Sequence, residues 1–155
     1  MATEERPQPS LSLVVPLYNE EDNVRPLQAE VADALEGIDY ELVLVDDGST
    51  DATVANIERS PLVRVLEFEN NCGQSAAMYA GIQAARGEVI ALIDGDLQND
   101  PKDIPKLLAE IDAGADLACG YRAKRKDTAF KRFQTRVATA VRRRFTGDGV
   151  RDTGC

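Results

Sequence analysis

Residues 11–15, Leu-Ser-Leu-Val-Val, are almost wholly apolar and run into Pro16. A short apolar run bounded by a turn residue predicts a buried strand that ends at that proline. Asn19 then stands where it can cap a helix beginning near Glu20, whose acidic first turn suits the helix dipole. Val24, Leu27, Val31 and Leu35 recur at helical spacing and give that helix one apolar face. Gly37 supplies a stop. Residues 40–45 predict a second strand, running into Asp46-Asp47-Gly48-Ser49-Thr50-Asp51. Gly48 suits a turn there, and Ser49 or Thr50 a cap for a short helix reaching about Arg59. A third strand is expected over 62–68, a small-residue helix over 73–85, a fourth strand over 89–93 and a helix over 103–113. Residues 116–119 open a fifth strand. Strands that are continuously apolar and alternate with helices predict an α/β fold: a Rossmann-like, mostly parallel sheet with helices on both faces.

The pattern changes after residue 121. Residues 127–146 predict a helix with Phe130, Phe133, Val137 and Val141 on one face and Lys131, Arg132, Arg136 and Arg142 to Arg144 around the rest. Charge follows the same division. Residues 1–120 hold 7 basic and 24 acidic side chains; residues 121–151 hold 11 basic and 2 acidic. The expected organisation is therefore a polar tail over 1–10, an α/β domain over 11–121 and a basic amphipathic segment over 122–155. A basic amphipathic helix suits an anionic membrane surface, with arginines at headgroup level. It equally suits a helix packed on a core with a solvated basic back. Nucleic acid is the poorer partner, because the remainder of the chain is strongly acidic.

Composition removes several function classes. The chain has no histidine, and its three cysteines, Cys72, Cys119 and Cys155, are widely spaced. Neither a disulfide framework nor a zinc site is expected, and any general base has to come from another residue type. The first ten residues lack the apolar core of a signal peptide. No apolar run approaches the roughly 18 residues that span a bilayer. The expectation is a cytoplasmic protein, at the cytoplasmic face of a membrane if the basic segment docks there. The last residues, Asp152-Thr153-Gly154-Cys155, form no closing element, so the sequence reads as the N-terminal part of a longer protein.

The residues that carry chemistry follow strands. In an open parallel sheet, ligands bind beyond the carboxyl ends of the strands, where strand order reverses. Pro16, Tyr18, Asn19 and Glu20 follow the first strand, Asp46 and Asp47 the second, Asp94 and Asp96 the fourth. In an extended segment Asp94 and Asp96 point the same way, with Gln98 following them. Gly95 between them leaves room for a ligand. Such oxygens suit Mg2+ or Mn2+, which keep positions open for phosphates. The same residues also suit a plain turn after a strand, and Asp46-Asp47-Gly48-Ser49 a polar turn and cap. No glycine-rich phosphate loop follows the first strand and no Walker A sequence is present. Bound phosphates would therefore need a cation.

Taken together and in order, six stretches resemble the family-2 glycosyltransferases of GT-A fold. They are Val15-Pro16-Leu17-Tyr18-Asn19-Glu20, residues 45–51, Asn71 to Ala77, Ala85-Arg86-Gly87-Glu88, residues 94–101 and Gly120-Tyr121-Arg122. Within that family the chain looks most like the polyprenyl-phosphate sugar transferases, dolichol-phosphate mannose synthase and its bacterial relatives among them. The resemblance implies a nucleotide-sugar donor, UDP- or GDP-linked, and a polyprenyl-phosphate acceptor. It implies that Pro16, Tyr18 and Glu20 line a nucleotide pocket, with Asp46 and Asp47 at base and ribose. Asp94 then lies beside nucleotide and metal, and Asp96 and Gln98 hold the metal. Arg122 lies near phosphate, with Lys124, Arg125, Lys126 and Arg136 as further candidates for the acceptor phosphate. Asp152 approaches the reaction centre. The implied reaction inverts the anomeric carbon. Its nucleophile, a lipid phosphate oxygen, is already anionic and needs no dedicated base. A different glycan or lipid acceptor, or a catalytically incomplete nucleotide-binding fragment, are the alternative expectations.

Overall fold

A computed structural model describes residues 8–120. The chain divides into two compact units, Met1–Ala109 and Glu110–Cys155. The first holds a four-stranded sheet of β1 (Leu11–Leu17), β2 (Tyr40–Asp46), β3 (Val63–Glu67) and β4 (Val89–Leu92). All neighbouring strands are parallel, in the order β3-β2-β1-β4. Between them run α1 (Val24–Ala34), α2 (Thr53–Asn56) and α3 (Gln74–Ala84). A 3-10 turn over Pro101–Asp103 leads into α4 (Ile104–Asp112).

The period-2 alternation of each strand divides the core into two layers. Leu11, Leu13, Val15 and Leu17 share one face with Leu42 and Leu44, and α1 covers it with Val24, Leu27, Val31 and Leu35. Val14, Val43 and Val45 point to the other face, where Ala77 of α3 meets them. That second contact is close. A Cβ on Gly81 of α3 would collide with Val14 Cγ1, so the small-residue helix is one that must lie almost on the sheet. Each fully buried Leu or Val contributes about 1.5–3 kcal/mol relative to exposure, which makes these two layers the main source of stability.

Strand order places the candidate chemistry. From β1 the chain steps outward to β2 and β3, then returns across both to β4 on the other side of β1. The reversal lies between β1 and β4, and the crevice beyond their carboxyl ends is the switch point of the sheet.

Two polar residues are buried at the amino ends of the strands. Ser12 of β1 is fully buried and Glu41 of β2 nearly so. Ser12 Oγ donates to Glu41 Oε1 at 2.6 Å, and the Arg86 and Gly87 amides end on this pair at 2.7 and 2.8 Å. Arg64 Nη1 donates to Glu41 Oε2 at 3.2 Å and to the Ala84 carbonyl at 2.6 Å. The network pins the α3–β4 turn, and hence the start of β4, to the amino ends of β1 and β2. Desolvation pushes the Glu41 carboxyl up, but the Ser12 hydroxyl, the Arg86 amide and Arg64 together hold it below the ordinary glutamate value. A carboxyl lowered by folding stabilises the fold above its unfolded pKa and loses that contribution as pH falls through the folded value. Glu41→Gln should therefore lower the unfolding free energy by about 2 kcal/mol at pH 7. The gap to the wild type should close in acid, below the ordinary glutamate range. Urea midpoints at pH 7 and in acid check this; a gap independent of pH contradicts it.

Several expected boundaries move. β1 runs through Pro16 to Leu17 and does not end at the proline. The β1–β4 ladder stops at Val14 and Leu92, and Ile93 donates to the Val14 carbonyl. Pro16 has the same parity as Val14, so its missing N–H faces the side where no strand partner remains. α1 starts at Val24 with Asn23 as its first flanking residue, so Asn19 does not cap it. α2 ends at Asn56, short of Arg59, and Ala52 precedes it with no side-chain cap from Ser49 or Thr50. In the second unit α4 finishes, Gly114 follows at φ 100°, and residues 116–119 form no strand. Leu117 there is 79% exposed. One large apolar side chain among 116–119 gives the segment too little to bury. The helix expected over 127–146 lies outside the described residues.

Candidate donor-binding cleft

A cleft of about 470 Å³ opens at the switch point. Pro16, Leu17, Tyr18 and Glu20 line it from the end of β1, Asp47 from β2, and Asn71, Gly73 and Gln74 from the start of α3. Asp94, Gly95 and Asp96 line it from β4. Among the described residues the lining includes four carboxylates and no lysine or arginine.

Each carboxylate is held differently. Asp47 is 3% exposed. Its Oδ1 accepts from the Cys72 amide at 2.7 Å and its Oδ2 from the Gly73 amide at 2.9 Å. It thereby ties the end of β2 to the loop that begins α3. Gly48 next to it sits at φ 72° against the backbone of Asn70 and Asn71, which no side chain would allow. Asp94 Oδ1 accepts from Gln74 Nε2 at 2.6 Å, and Oδ2 from Asn99 Nδ2 at 3.4 Å. Asp96 Oδ1 accepts from the Gln98 amide at 3.0 Å. Glu20 accepts from Asn23 Nδ2. Asp51, in the loop behind, is raised by desolvation but brought below the ordinary aspartate value by the Thr53 hydroxyl and the Thr53 and Glu21 amides.

The structure thus brings Pro16, Tyr18, Glu20, Asp47, Asp94 and Asp96 to one cleft. Asp46 and Gln98 are not among its lining residues. Asp46 is 3% exposed; its Oδ2 accepts from the Ser49 amide at 3.0 Å, and its Oδ1 has no partner among the described residues. Gln98 lines a second cleft with Glu30, Asp33, Leu97, Asn99, Asp100 and Lys102. The reason is Leu97, at φ 58°. One residue in the left-handed region breaks the extended alternation on which the expected Asp94–Asp96–Gln98 face depended. Gly95 lines the cleft, and a Cβ there would lie 2.6 Å from Leu17 Cδ2 and 3.0 Å from the Pro16 carbonyl oxygen, so the close packing of β1 also calls for a residue without a side chain.

Sequence reading assigned no role to Gln74, Asn99 or Asn71. The first two fix Asp94, and Asn71 lines the cleft. Their signal was present only as members of matching stretches. Arg122, Lys124, Arg125, Lys126, Arg136 and Asp152 lie outside the described residues. Cys72 and Cys119 are free and exposed.

The donor set suits a hard divalent cation. Asp94 and Asp96 face the cleft after β4, with no cationic side chain in the lining among the described residues. Among the described residues no three acidic, cysteine or histidine side chains converge on one point. Two carboxylates that leave the remaining positions to phosphate and water match the habit of magnesium.

The model for glycosyl transferase family 2 matches residues 12–153. The chain belongs to that family. Dodecaprenyl-phosphate galacturonate synthase of Rhizobium johnstonii is 48% identical over 154 residues, covering 94% of this chain and 46% of that protein. Undecaprenyl-phosphate 4-deoxy-4-formamido-L-arabinose transferase of Pseudomonas fluorescens is 39% identical over 160 residues, covering 97% and 47%. The chain spans about half the length of the curated relatives it matches. Among solved structures, glucosyl-3-phosphoglycerate synthase of Mycobacterium tuberculosis with Mn2+, UDP and phosphoglyceric acid superposes with a TM-score of 0.67 at 24% identity, over 88% of this chain and 49% of that one. A mannosyltransferase of Pyrobaculum calidifontis with GDP-mannose and Mn2+ gives 0.61 at 23%, over 74% and 36%. These likenesses show the fold, which is the GT-A arrangement. No helix among the described residues is long and apolar enough to cross a membrane.

Proposed function

We propose that this chain is the donor-binding part of an inverting glycosyltransferase that moves a sugar from a UDP- or GDP-linked donor to a polyprenyl phosphate. The observation that carries this reading is the set of four carboxylates, Glu20, Asp47, Asp94 and Asp96, around a cleft at the switch point. Carboxylates so placed repel one another; the hydrogen bonds to Asp47, Asp94 and Asp96 offset part of that cost, and a bound cation offsets it further. Two relatives with 48% and 39% identity are named for transfer or synthesis on dodecaprenyl or undecaprenyl phosphate, which supports the acceptor class.

In this reading Tyr18 and Pro16 form the wall against which the base lies, and Asp47 and Glu20 accept from base or ribose. Asp94 and Asp96 hold Mg2+ or Mn2+, which supplies charge neutralisation to the departing diphosphate. Gln74 and Asn99 donate to Asp94 and fix the direction of its oxygens. Asp46 supports the loop from behind. Gln98, in the second cleft, is not assigned to the cation. The acceptor phosphate is proposed to meet Arg122, Lys124, Arg125 and Arg136, with Asp152 near the reaction centre and the basic segment on the cytoplasmic face of an anionic membrane. The attacking oxygen is anionic at neutral pH, so positioning and charge neutralisation are the work left to the protein.

Nucleoside diphosphate release tests the reaction. With UDP- and GDP-sugars, manganese and undecaprenyl phosphate in detergent, release should depend on the lipid phosphate. Release at the same rate without the lipid contradicts the acceptor assignment.

A further inference from the structure

The β1–α1 and β2–α2 loops are joined by side-chain bonds that the donor-site reading does not use. The Asn19 amide donates to Ser49 Oγ at 2.9 Å. The Glu20 amide donates to Thr53 Oγ1 at 2.7 Å. The Glu21 amide donates to Asp51 Oδ2 at 3.3 Å. Three consecutive backbone amides of one loop thus end on side chains of the other. In return, Asn19 Oδ1 accepts from the Thr50 amide at 2.8 Å and from its hydroxyl at 3.3 Å. Glu21 Oε2 accepts from the Ala52 amide at 3.0 Å.

These amides precede the first turn of α1, which begins at Val24, so the helix itself does not hold them. Thr53 is fully buried, and its hydroxyl works in both directions: it accepts from Glu20 and donates to Asp51 Oδ1. Asp51 Oδ1 also accepts the Thr53 amide at 2.9 Å. Asn19 sits at φ 55°, a conformation that asparagine tolerates better than most residues. The two residues flanking it, Tyr18 and Glu20, both line the cleft.

We infer that Asn19, Asp51 and Thr53 are positioning residues for the donor nucleotide, acting through the backbone of residues 18–21 to hold Tyr18 and Glu20 in the cleft wall. The inference rests on the reading of the cleft as a donor site. A wall ordered before binding saves the nucleotide the entropy of ordering it. Loss of one clamp bond returns that cost to the binding step and leaves the core untouched.

The test uses the full chain with UDP and GDP in manganese, and amide exchange of residues 19–21 without ligand. Thr53→Val keeps the shape and removes the hydroxyl. It removes the bonds to Glu20 and to Asp51 together, and should accelerate exchange at Glu20 and weaken nucleotide affinity about 5–10-fold. Thr53→Ser should restore both. Asn19→Gly keeps the backbone freedom and removes the acceptor. At an exposed position that does not burden folding, it should shift both readouts the same way. Unchanged exchange at Glu20 in Thr53→Val overturns the clamp. Faster exchange with unchanged affinity overturns the positioning role, as does a serine variant that fails to restore affinity. A wild-type chain that binds neither nucleotide overturns the donor reading and the positioning role with it, and the exchange data alone then report on the clamp.

Discussion

Asp96→Asn should abolish most of the gain in nucleotide affinity that manganese provides, a loss of about 100-fold, while the fold is nearly unaffected. The two halves of this expectation have separate causes. Among the described residues Asp96 Oδ1 accepts from the Gln98 amide two residues away. An asparagine oxygen can accept that bond equally well, so the turn after β4 persists and stability should change by about 0.5 kcal/mol or less. What asparagine cannot replace is the negative charge and the second oxygen. Loss of groups that merely orient a metal ligand costs about 10–100-fold in affinity, and loss of a ligand itself should reach the upper end. Titration of both proteins with nucleotide, with and without manganese, measures the effect. Equal manganese dependence in the two would remove Asp96 from the cation site.

Gly48→Ala should cost about 2–5 kcal/mol of stability. A Cβ there would lie 2.6 Å from the Asn70 carbonyl carbon and 2.7 Å from the Asn71 amide nitrogen. Both are backbone atoms and neither can rotate away. Overpacking of this kind costs about 1–3 kcal/mol, and the φ of 72° adds about 1–2 kcal/mol for any residue with a Cβ. Gly37→Ala separates the two contributions. Gly37 has φ 80° but nothing within 4 Å of its missing Cβ, so it should cost only the backbone strain. Gly48→Ala should also weaken nucleotide binding, because the displaced loop carries Asn71, Gly73 and Gln74 of the cleft. Urea midpoints for the two variants are the check; equal losses would show that the close approach contributes nothing.

The legible part of the fold was the part set by local periodicity. Val24, Leu27, Val31 and Leu35 lie on one helical face and all are buried, as their spacing requires. The site's location was legible for a topological reason: parallel strands send their carboxyl ends to one edge, so polar residues after β1, β2 and β4 meet. What the sequence could not show depends on partners far along the chain. Asn19 looks like a helix cap, yet its bonds run to Ser49 and Thr50, some thirty residues on. Gln98 seemed to follow Asp94 and Asp96 by alternation, but Leu97 adopts a left-handed conformation that propensity disfavours. Gly95 lines the cleft as expected, but that Leu17 also packs where its side chain would be is not legible locally. Gln74 holds Asp94 across twenty residues, a pairing with no local signature.

The cleft between β1, β2 and β4 is proposed to hold a nucleotide through a divalent cation. Calorimetric titration of the full chain with UDP and with GDP, each with and without manganese, tests it most directly. One nucleotide should bind tightly, and only when manganese is present. Binding of neither nucleotide by a folded chain, or binding of equal strength without the metal, would contradict it.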